Sequence, residues 1–273
     1  MIKIETRGAF VHATLAAPAT RNALSDAMVA GLGDAVMLAE ASPATRALVI
    51  RGDGGTFCAG GDFGRFRELI ATPPPRDAPD PIVAFNRAFG ALLERLHGCA
   101  VATVAVVEGA AMGGGVGLAA ACDFVLAADS ARFATPEVTL GLPPAQIAPF
   151  VALRIGTGAA QRLMLTGRRL AAAQAHAVGL VDEVLEPGAL DARVAALLGE
   201  LGRAEPAALR ATKAIVKQQR TDGPLAATLD SAAQLFAAAL RSGTAGEGLA
   251  AFAARRAAAW VVAPNGVDER PSR

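Results

Sequence analysis

Cysteine is scarce in this chain of 273 residues, which contains only three. Cys58, Cys99 and Cys122 are odd in number, stand far apart and form neither a CxxC pair nor a zinc-ligand pattern. This usage excludes a disulfide framework and is typical of buried thiols in a reducing compartment. We therefore expect all three to be small core residues, although Cys58 also stands beside a glycine cluster where a nucleophile would be placed.

Histidine is equally scarce, with three residues. His12, His97 and His176 fall in a predicted strand, a helix end and a helix, and no HExxH or GxSxG motif accompanies them. The sequence therefore lacks the patterns of metal sites and of serine-triad hydrolases. We expect no metal and no resident cofactor.

The chain also lacks an excess of either charge: its net charge is +1 and its isoelectric point is near 7.8. Nothing in this balance attracts nucleic acid, and no nucleic-acid motif is present. The first eight residues lack the basic start and apolar run of a signal peptide. Between His97 and Asp123 the only charged residue is Glu108, but this mid-span glutamate and the neighbouring glycines argue against a membrane span. We predict a cytoplasmic protein with neither nucleic acid nor membrane as a partner.

Two predicted strands end in glycine clusters and continue into helices. Ala47–Arg51 leads through a glycine turn to the sequence FCAGGD at 57–62, and Val101–Val107 leads to the glycines of 113–117. Backbone N–H groups at such turns lack partners and attract negative charge. The anion bound there is open at this stage: a phosphate, a carboxylate or the oxyanion of a reaction intermediate.

The second cluster also matches the dinucleotide motif GxGxxA over 115–120. The helix that follows has room for only about two turns, and Asp129 comes too soon to bind a ribose. A nicotinamide-dependent oxidoreductase is therefore an alternative with little support. A purely structural role of these glycines in close helix packing is another.

Two further features involve charged side chains. Glu137 stands in the loop TPEVTLGLPP, where burial would raise its pKa and suit it for proton transfer near neutral pH, unless it is simply a surface loop residue. The predicted helix after Pro206 carries a basic stripe at helical spacing, which is either a solvated face or a phosphate site. The stripe comprises Arg210, Lys213, Lys217 and Arg220.

These motifs together resemble the crotonase superfamily, also called the enoyl-CoA hydratase/isomerase family. The similarity runs through TRNALS at 20–25, FCAGGD, EGAAMGGGVGLAAACD from Glu108, FATPEVTLGLPP, TGRRLAAAQAHAVGLVDEV and EGLAAFAARR. It covers nearly the whole chain.

The resemblance implies a mixed α/β fold, in which a crotonase-like spiral of ββα repeats precedes a C-terminal helical trimerisation region. We accordingly expect a core with an acyl-CoA site over residues 1–200, helices for oligomerisation over 201–263 and a polar tail over 264–273. A homotrimer or a dimer of trimers is implied.

The resemblance also implies the site residues. The N–H groups of Gly61 and Gly114 would hold the thioester oxygen, and Glu137 would transfer the proton. Arg21, Ala23, Cys58 and Ala59 would contact the CoA moiety, with no cofactor beyond that CoA. A variable proline-rich loop, with five prolines between Thr72 and Pro81, would partly shape the acyl pocket.

One position departs from the family pattern. Hydratases of this family use two glutamates, and Gly117 stands where the first is expected. The predicted reaction is therefore hydration or double-bond isomerisation of an enoyl-CoA through an enolate. A hydratase of a branched glutaconyl-CoA compound and a non-catalytic acyl-CoA-binding protein of the same fold are the alternatives.

Overall fold

The computed structural model describes residues 1–73, 78–186, 188–218 and 225–263. The described strands are β1 Ile2–Arg7, β2 Phe10–Leu15, β3 Ala47–Gly52, β4 Ala102–Val107, β5 Ala110–Met112, β6 Phe124–Ala128, β7 Arg132–Ala134, β8 Arg169–Ala171 and β9 Glu183–Leu185. The described helices are α1 Asp26–Ala41, α2 Phe63–Ala71, α3 Pro81–Gly98, α4 Gly114–Ala121, α5 Ala148–Ile155, α6 Thr157–Thr166, α7 Ala172–Ala177, α8 Leu190–Gly202, α9 Pro206–Gln218, α10 Leu225–Arg241 and α11 Thr244–Ala253. Two short 3-10 helices lie at Pro18–Thr20 and Pro136–Leu140.

Six strands form the main sheet in the order β1-β2-β3-β4-β6-β9. The β1–β2 hairpin is antiparallel and every later pair is parallel. The central strand β4, ATVAVV, is buried at all six positions, as a parallel strand covered on both faces must be. One face packs against α1, α3 and α4, while the other packs against α8.

A smaller sheet has the order β5-β7-β8, and its first strand follows β4 of the main sheet in the chain. Cys58 forms an isolated parallel bridge with Ala111 of β5. The Cys58 N–H donates to the Ala110 carbonyl at 2.9 Å, and the Cys58 carbonyl accepts from the Met112 N–H at 2.9 Å. This pairing fixes the first glycine cluster against the second.

The helical boundaries follow local signals that the sequence carries. The Ser25 side chain accepts from the Met28 N–H, and the Asp80 carboxylate accepts from the Ile82 N–H, so both act as N-caps. The Asp62 carboxylate accepts from the first N–H groups of α2. Cap residues were therefore reliable guides to helix starts.

Some sequence-based boundaries were wrong. The strand predicted at Ala47–Arg51 extends to Gly52, and the one predicted at Val101–Val107 begins at Ala102. The short strands β5, β7 and β8 have three residues each and were not predicted. The tail at 264–273 and part of the proline-rich loop lie outside the described residues.

Candidate active site

Gly114 occupies the first position of α4, directly after the N-cap residue Gly113. The φ of Gly113 is +51°, a left-handed conformation that favours glycine. The Gly113 N–H donates to the Ala134 carbonyl at 2.8 Å, which fixes the turn to β7. The turn thus presents the first N–H groups of α4 at the end of the second glycine cluster.

Gly60 and Gly61 lie beside this turn. A Cβ on Gly60 would come within 2.8 Å of the Met112 carbonyl oxygen and 3.7 Å of the Gly113 Cα. Leu24 forms an isolated bridge with Gly61, and the Leu24 Cδ1 atom lies 2.5 Å from where a Cβ on Gly114 would stand. Leu24 therefore contacts both predicted donor positions, and the two clusters meet at one place.

The N–H groups of Gly61 and Gly114 are unpaired within the part of the chain that the structure describes. Gly61 precedes α2 by one capping residue, and Gly114 is at a helix start, where N–H groups have no partner inside the helix. Two free donors therefore stand at adjoining backbone turns. Such a pair can stabilise an oxygen that carries negative charge.

The Glu137 side chain reaches the same place from the 3-10 helix Pro136–Leu140. Its Oε1 atom lies 2.8 Å from where a Cβ on Gly113 would stand, so only a glycine at 113 leaves room for the carboxylate. The Oε2 atom is buried and has no hydrogen-bond partner among the described residues. The carboxylate therefore lies next to the turn that presents Gly114.

Burial raises the pKa of the Glu137 carboxyl above its ordinary value, and a bond from its own backbone N–H opposes that rise. The carboxyl therefore retains its proton to a higher pH than an exposed glutamate does, which favours a role in proton transfer. The loop conformation is fixed by the Leu142 N–H, which donates to the Glu137 carbonyl at 3.0 Å. Because its Oε2 atom is buried, Glu137 is more than a surface-loop residue, although its side chain is only half-buried.

Gly117, one turn further along α4, is covered by apolar side chains. A Cβ there would lie 2.3 Å from Ile147 Cγ2, 2.9 Å from Ile147 Cβ and 3.4 Å from Leu93 Cδ1. Both side chains are almost fully buried. The space above Gly117 is therefore occupied by hydrocarbon.

Aromatic side chains surround the two donors. A Cβ on Gly61 would lie 2.5 Å from Phe66 Cζ, and one on Gly114 would lie 3.2 Å from Phe89 Cζ. The Phe66 ring in turn meets the Phe85 ring edge-on, with centroids 5.9 Å apart. These rings come from α2 and α3 and form an apolar wall beside the unpaired N–H groups.

A family model described as enoyl-CoA hydratase/isomerase matches residues 5–262. The chain is 31% identical over 244 residues to 2,3-dehydroadipyl-CoA hydratase of Escherichia coli K12, covering 89% of this chain and 91% of that protein. The crystal structure of an enoyl-CoA hydratase/isomerase from Marinobacter aquaeolei is similar with a TM-score of 0.91 and 38% identity, covering 96% of this chain and 99% of that one. Pseudomonas aeruginosa AtuE is similar with a TM-score of 0.90 and 40% identity over the same shares of the two chains.

The chain belongs to the enoyl-CoA hydratase/isomerase family. The resemblance and the crotonase-like fold predicted from sequence are thereby confirmed. The chain is an enzyme that acts on acyl-CoA thioesters, so the dinucleotide interpretation of the glycine motif is set aside.

The four residues predicted to contact CoA lie on two adjoining segments of this enoyl-CoA hydratase/isomerase family member. The Ala59 N–H donates to the Arg21 carbonyl at 2.9 Å, and Arg21 is exposed with φ of +52°. Ala23 and Ala59 are half-buried. Cys58 is fully buried and uses both backbone groups in its pairing with β5, and burial raises the pKa of its thiol to about 12. A reactive thiolate at Cys58 is therefore ruled out on physical grounds.

The fully buried Asn22 holds the first of these segments in place. Its side-chain amide donates to the carbonyls of Asp53 and Thr56, and its Oδ1 accepts from the Ala17 N–H. The sequence analysis missed this role, although an asparagine in a tight turn before a helix start is a recognisable signal.

The basic stripe of α9 packs against the body of the enzyme. Lys213 donates to the Val101 carbonyl at 2.6 Å and to the Asp123 carboxylate, while Arg210 donates to the Ser42 carbonyl at 2.8 Å. Arg220 lies outside the described residues. These contacts favour a structural role for the stripe over phosphate binding.

Across residues 1–73, 78–186, 188–218 and 225–263, no three His, Cys, Asp or Glu side chains group so that they could hold a metal ion. Over the same ranges, no helix is both long enough and apolar enough to span a membrane.

Proposed function

We propose that this enzyme binds the carbonyl oxygen of an enoyl-CoA thioester between the N–H groups of Gly61 and Gly114 and moves a proton with Glu137. The observation that carries the proposal is the position of the Glu137 carboxylate, whose Oε2 is buried and whose Oε1 lies against Gly113 and therefore beside the Gly114 donor. The reacting carbons of an enoyl-CoA are next to its carbonyl. The Glu137 carboxylate can therefore reach these carbons while the two N–H groups hold the carbonyl oxygen. The unpaired donors stabilise the enolate oxygen as charge moves onto it.

Hydration is the first candidate reaction. Glu137 accepts a proton from a water whose oxygen forms a bond to C3, and the electrons of the C2–C3 double bond move onto the thioester oxygen. A proton delivered to C2 then completes the addition of water. The similarity to 2,3-dehydroadipyl-CoA hydratase of Escherichia coli K12 favours this reaction.

Double-bond isomerisation is the second candidate, and the packing around Gly117 favours it. Ile147 and Leu93 fill the position where a second carboxylate would help to hold a water. A single carboxylate suffices to remove a proton from C2 of a 3-enoyl thioester and return it to C4, which forms the 2-enoyl product. Both reactions use the same donors and the same base.

Mass spectrometry of the products from matched 2-enoyl and 3-enoyl thioesters separates the two reactions. A gain in mass equal to one water from a 2-enoyl thioester indicates hydration, whereas conversion at constant mass indicates isomerisation. We expect Glu137→Gln to abolish either reaction, and Glu186→Gln, at an exposed position, to leave it unchanged. Full activity of Glu137→Gln on every substrate that the wild type turns over would overturn the assignment of the base.

A non-catalytic acyl-CoA-binding role is the remaining alternative, and the missing carboxylate at Gly117 is its support. Binding without turnover of every thioester tested would favour it. A failure of saturating acyl-CoA to raise the melting temperature would contradict both proposals, because a ligand of the native state stabilises it.

The CoA moiety is proposed to lie along Arg21, Ala23 and Ala59, since these residues adjoin Gly61 and are at least partly accessible. Cys58 lies beneath them and supports their backbone. No cofactor beyond CoA is required by the proposed chemistry. The cytoplasm remains the predicted compartment.

A homotrimer or a dimer of trimers is proposed as the assembly. Its support is an apolar stripe on α10, which is defined by Leu225, Leu229, Phe236 and Leu240 and is exposed in the single chain. Positions four, eleven and fifteen residues apart fall on one side of a helix. Contiguous exposed apolar surface of this kind marks a protein interface.

A further inference from the structure

The turn that contains Asn22 has a backbone conformation that residues other than glycine rarely adopt. Arg21 has a φ of +52° and Asn22 a φ of +58°, so two consecutive residues lie in the left-handed region. Asparagine tolerates this region better than most residues do. Such a conformation persists only where the surrounding contacts impose it. The contacts of Asn22 therefore identify what imposes it here.

The Asn22 side chain is fully buried and joins three stretches of backbone. Its Nδ2 donates to the Asp53 carbonyl at 2.9 Å and to the Thr56 carbonyl at 2.7 Å, while its Oδ1 accepts from the Ala17 N–H at 2.9 Å. Both N–H bonds of the amide are used. Removal of the amide would leave the two carbonyls without this donor in a buried place, which is unfavourable. The amide therefore fixes the turn at 53–56 against the segment 21–24.

The turn at 53–56 leads directly into the first glycine cluster, FCAGGD at 57–62. A Cβ on Gly52 would lie 2.0 Å from the Thr56 carbonyl oxygen, so the turn is closed more tightly than any other residue at 52 would allow. Asn22 donates to that same oxygen. The carbonyl that closes the turn is therefore held by Asn22 at the entrance to the segment that carries Gly61.

The segment 21–24 also binds the residues around the proposed donor. The Ala59 N–H donates to the Arg21 carbonyl at 2.9 Å, and the Leu24 N–H donates to the Gly60 carbonyl at 2.8 Å. Asn22 stands between the two residues, Arg21 and Leu24, that make these bonds. Because both bonds come from one short turn, the conformation of Asn22 sets their spacing and thereby the path of residues 59–61.

We infer that Asn22 is a positioning residue for the first oxyanion donor. Its amide holds the left-handed turn and the Thr56 carbonyl, and these contacts place the Gly61 N–H where it meets the thioester oxygen. Asn22 is fully buried and touches no substrate atom. The inference rests on the proposed function, since it takes Gly61 to bind that oxygen. The Gly114 donor, whose turn is fixed by the Ala134 carbonyl, should keep its place when Asn22 is changed.

Infrared spectroscopy of a bound thioester measures this placement without any turnover. Hexanoyl-CoA labelled with carbon-13 at its carbonyl has no double bond to hydrate or shift, so the measurement does not depend on proton transfer by Glu137. A hydrogen bond to the carbonyl oxygen lowers its stretching frequency, and a better aligned bond lowers it further. The frequency belongs to the bound ligand and is therefore separate from affinity. We expect the wild type to lower the band below its position for free hexanoyl-CoA in water.

Two variants remove the contacts of Asn22 in different ways. Asn22→Gly deletes the amide and leaves a residue that adopts a φ of +58° without strain. Asn22→Asp retains an acceptor for the Ala17 N–H and, when ionised, lacks both donors. Each should lose roughly half of the wild-type frequency shift, since one of the two donors stays aligned. With an enoyl-CoA that the wild type turns over, kcat at saturation should fall at least about tenfold, because a misplacement of about 1 Å can cost 10²-fold.

Thr103→Val is the matched control for a general loss of stability. Thr103 is also fully buried, and its Oγ1 donates to the Asp123 carboxylate at 2.9 Å and accepts from the Asp123 N–H at 2.9 Å. Asp123 follows the end of α4 that is opposite to Gly114. The control should therefore lower the melting temperature, as the Asn22 variants do, and leave both the carbonyl band and kcat unchanged.

Two results would overturn the inference. Folded Asn22 variants could keep the wild-type band and kcat, or Thr103→Val could lose as much of the frequency shift as they do, which would make the effect one of stability alone. Should Asn22→Asp fail to fold, the band of Asn22→Gly decides. A wild-type band that stays at the position of free hexanoyl-CoA would instead contradict the proposed oxygen-binding role of Gly61 and Gly114.

Discussion

At the scale of single residues, the site depends on what surrounds one carboxylate. Glu137 has a buried Oε2 without a partner in the described part of the chain, and its pKa is raised mainly by that burial. The same burial that suits it for proton transfer makes its charged form unfavourable in the folded state. The function proposed for Glu137 and the stability of the fold are therefore in opposition at this residue.

This opposition predicts how stability depends on pH. The carboxyl of the unfolded chain ionises near its ordinary pKa of 4.5, and that of the folded chain ionises at a higher pH. The stabilising effect of the retained proton is thus complete below about pH 4.5 and is lost as the pH rises through the folded-state pKa. Compared with Glu137→Gln, the wild type should be equally stable at low pH and less stable at neutral pH.

Urea unfolding of both proteins at a series of pH values measures this difference. Glu186→Gln is a suitable control, because its carboxyl is exposed and its replacement should leave the profile unchanged. A constant difference between wild type and Glu137→Gln across the whole series would contradict the assigned burial effect.

A second prediction concerns the donor at residue 114. Gly114→Pro removes the N–H at the first helical position, where proline is tolerated. Loss of one such donor lowers kcat by about 10²–10³ in other enzymes. Gly114→Ala retains the N–H and pushes against the terminal Cδ1 of Leu24 and the edge of the Phe89 ring, so its loss of activity should be smaller. Equal kcat values for the two variants would mean that the N–H does not bind the substrate oxygen.

At the scale of secondary-structure elements, the contact between α4 and the residue before α5 sets the chemistry available. Ile147 Cγ2 would lie 2.3 Å from a Cβ on Gly117, so the glycine lets the loop approach the helix. A glutamate at position 117 would clash with Ile147, and its carboxylate would lie among apolar side chains. The packing of Ile147 and Leu93 therefore leaves no room for a carboxylate at position 117, so a change of residue 117 alone would not supply one.

This packing predicts a strong coupling between the two positions. Gly117→Glu should lower the free energy of unfolding by at least about 1–3 kcal/mol, the range for overpacked cores. Ile147→Gly in the same chain frees the space that a glutamate at position 117 would need. The double variant should therefore lose less free energy of unfolding than the sum of the losses in the two single variants. Thermal or urea unfolding of all four proteins measures the coupling. Leu165→Gly, which changes an exposed side chain, should show simple additivity with Gly117→Glu.

Local signals explain which elements could be predicted from sequence. The apolar run Val101–Val107 predicted the strand that the structure has as β4, and the Ser25 and Asp80 side chains that cap α1 and α3 are residue types typical of helix starts. Strands of three residues, such as β7, are too short for a repeating pattern to be visible. The pairing of Ile147 with Gly117 could not be foreseen, because it joins residues thirty positions apart and depends on the tertiary path of the loop. Glu137 was identified as a candidate through the PE motif, yet its contact with Gly113 needed the structure.

At the scale of the whole molecule, the C-terminal helices carry apolar side chains that the single chain leaves in solvent. Phe236 of α10 is 67% exposed and Phe252 of α11 is 86% exposed. Burial of such side chains is worth about 1.5–3 kcal/mol each. A self-association through this region is the direct way to recover that free energy.

The assembly can be tested by charge substitution on the apolar stripe. Leu229→Asp combined with Phe236→Asp should reduce the molar mass in light scattering from that of a trimer or hexamer toward that of a monomer. Gln234→Asp lies on the opposite side of α10 and should leave the mass unchanged. A wild-type protein that is monomeric at micromolar concentration would refute the proposed assembly.

The pairing of Cys58 with Ala111 has a consequence for the rate of the reaction. Because regular backbone hydrogen bonds tie the two glycine turns to one another, the unpaired N–H groups of Gly61 and Gly114 are held by the sheet framework and not by side chains that must rearrange. In water, solvent dipoles must reorient whenever an enolate forms, and that reorganisation contributes to the activation barrier. In the proposed mechanism, the two N–H dipoles take their orientation once, when the chain folds, and every turnover begins with them already aligned.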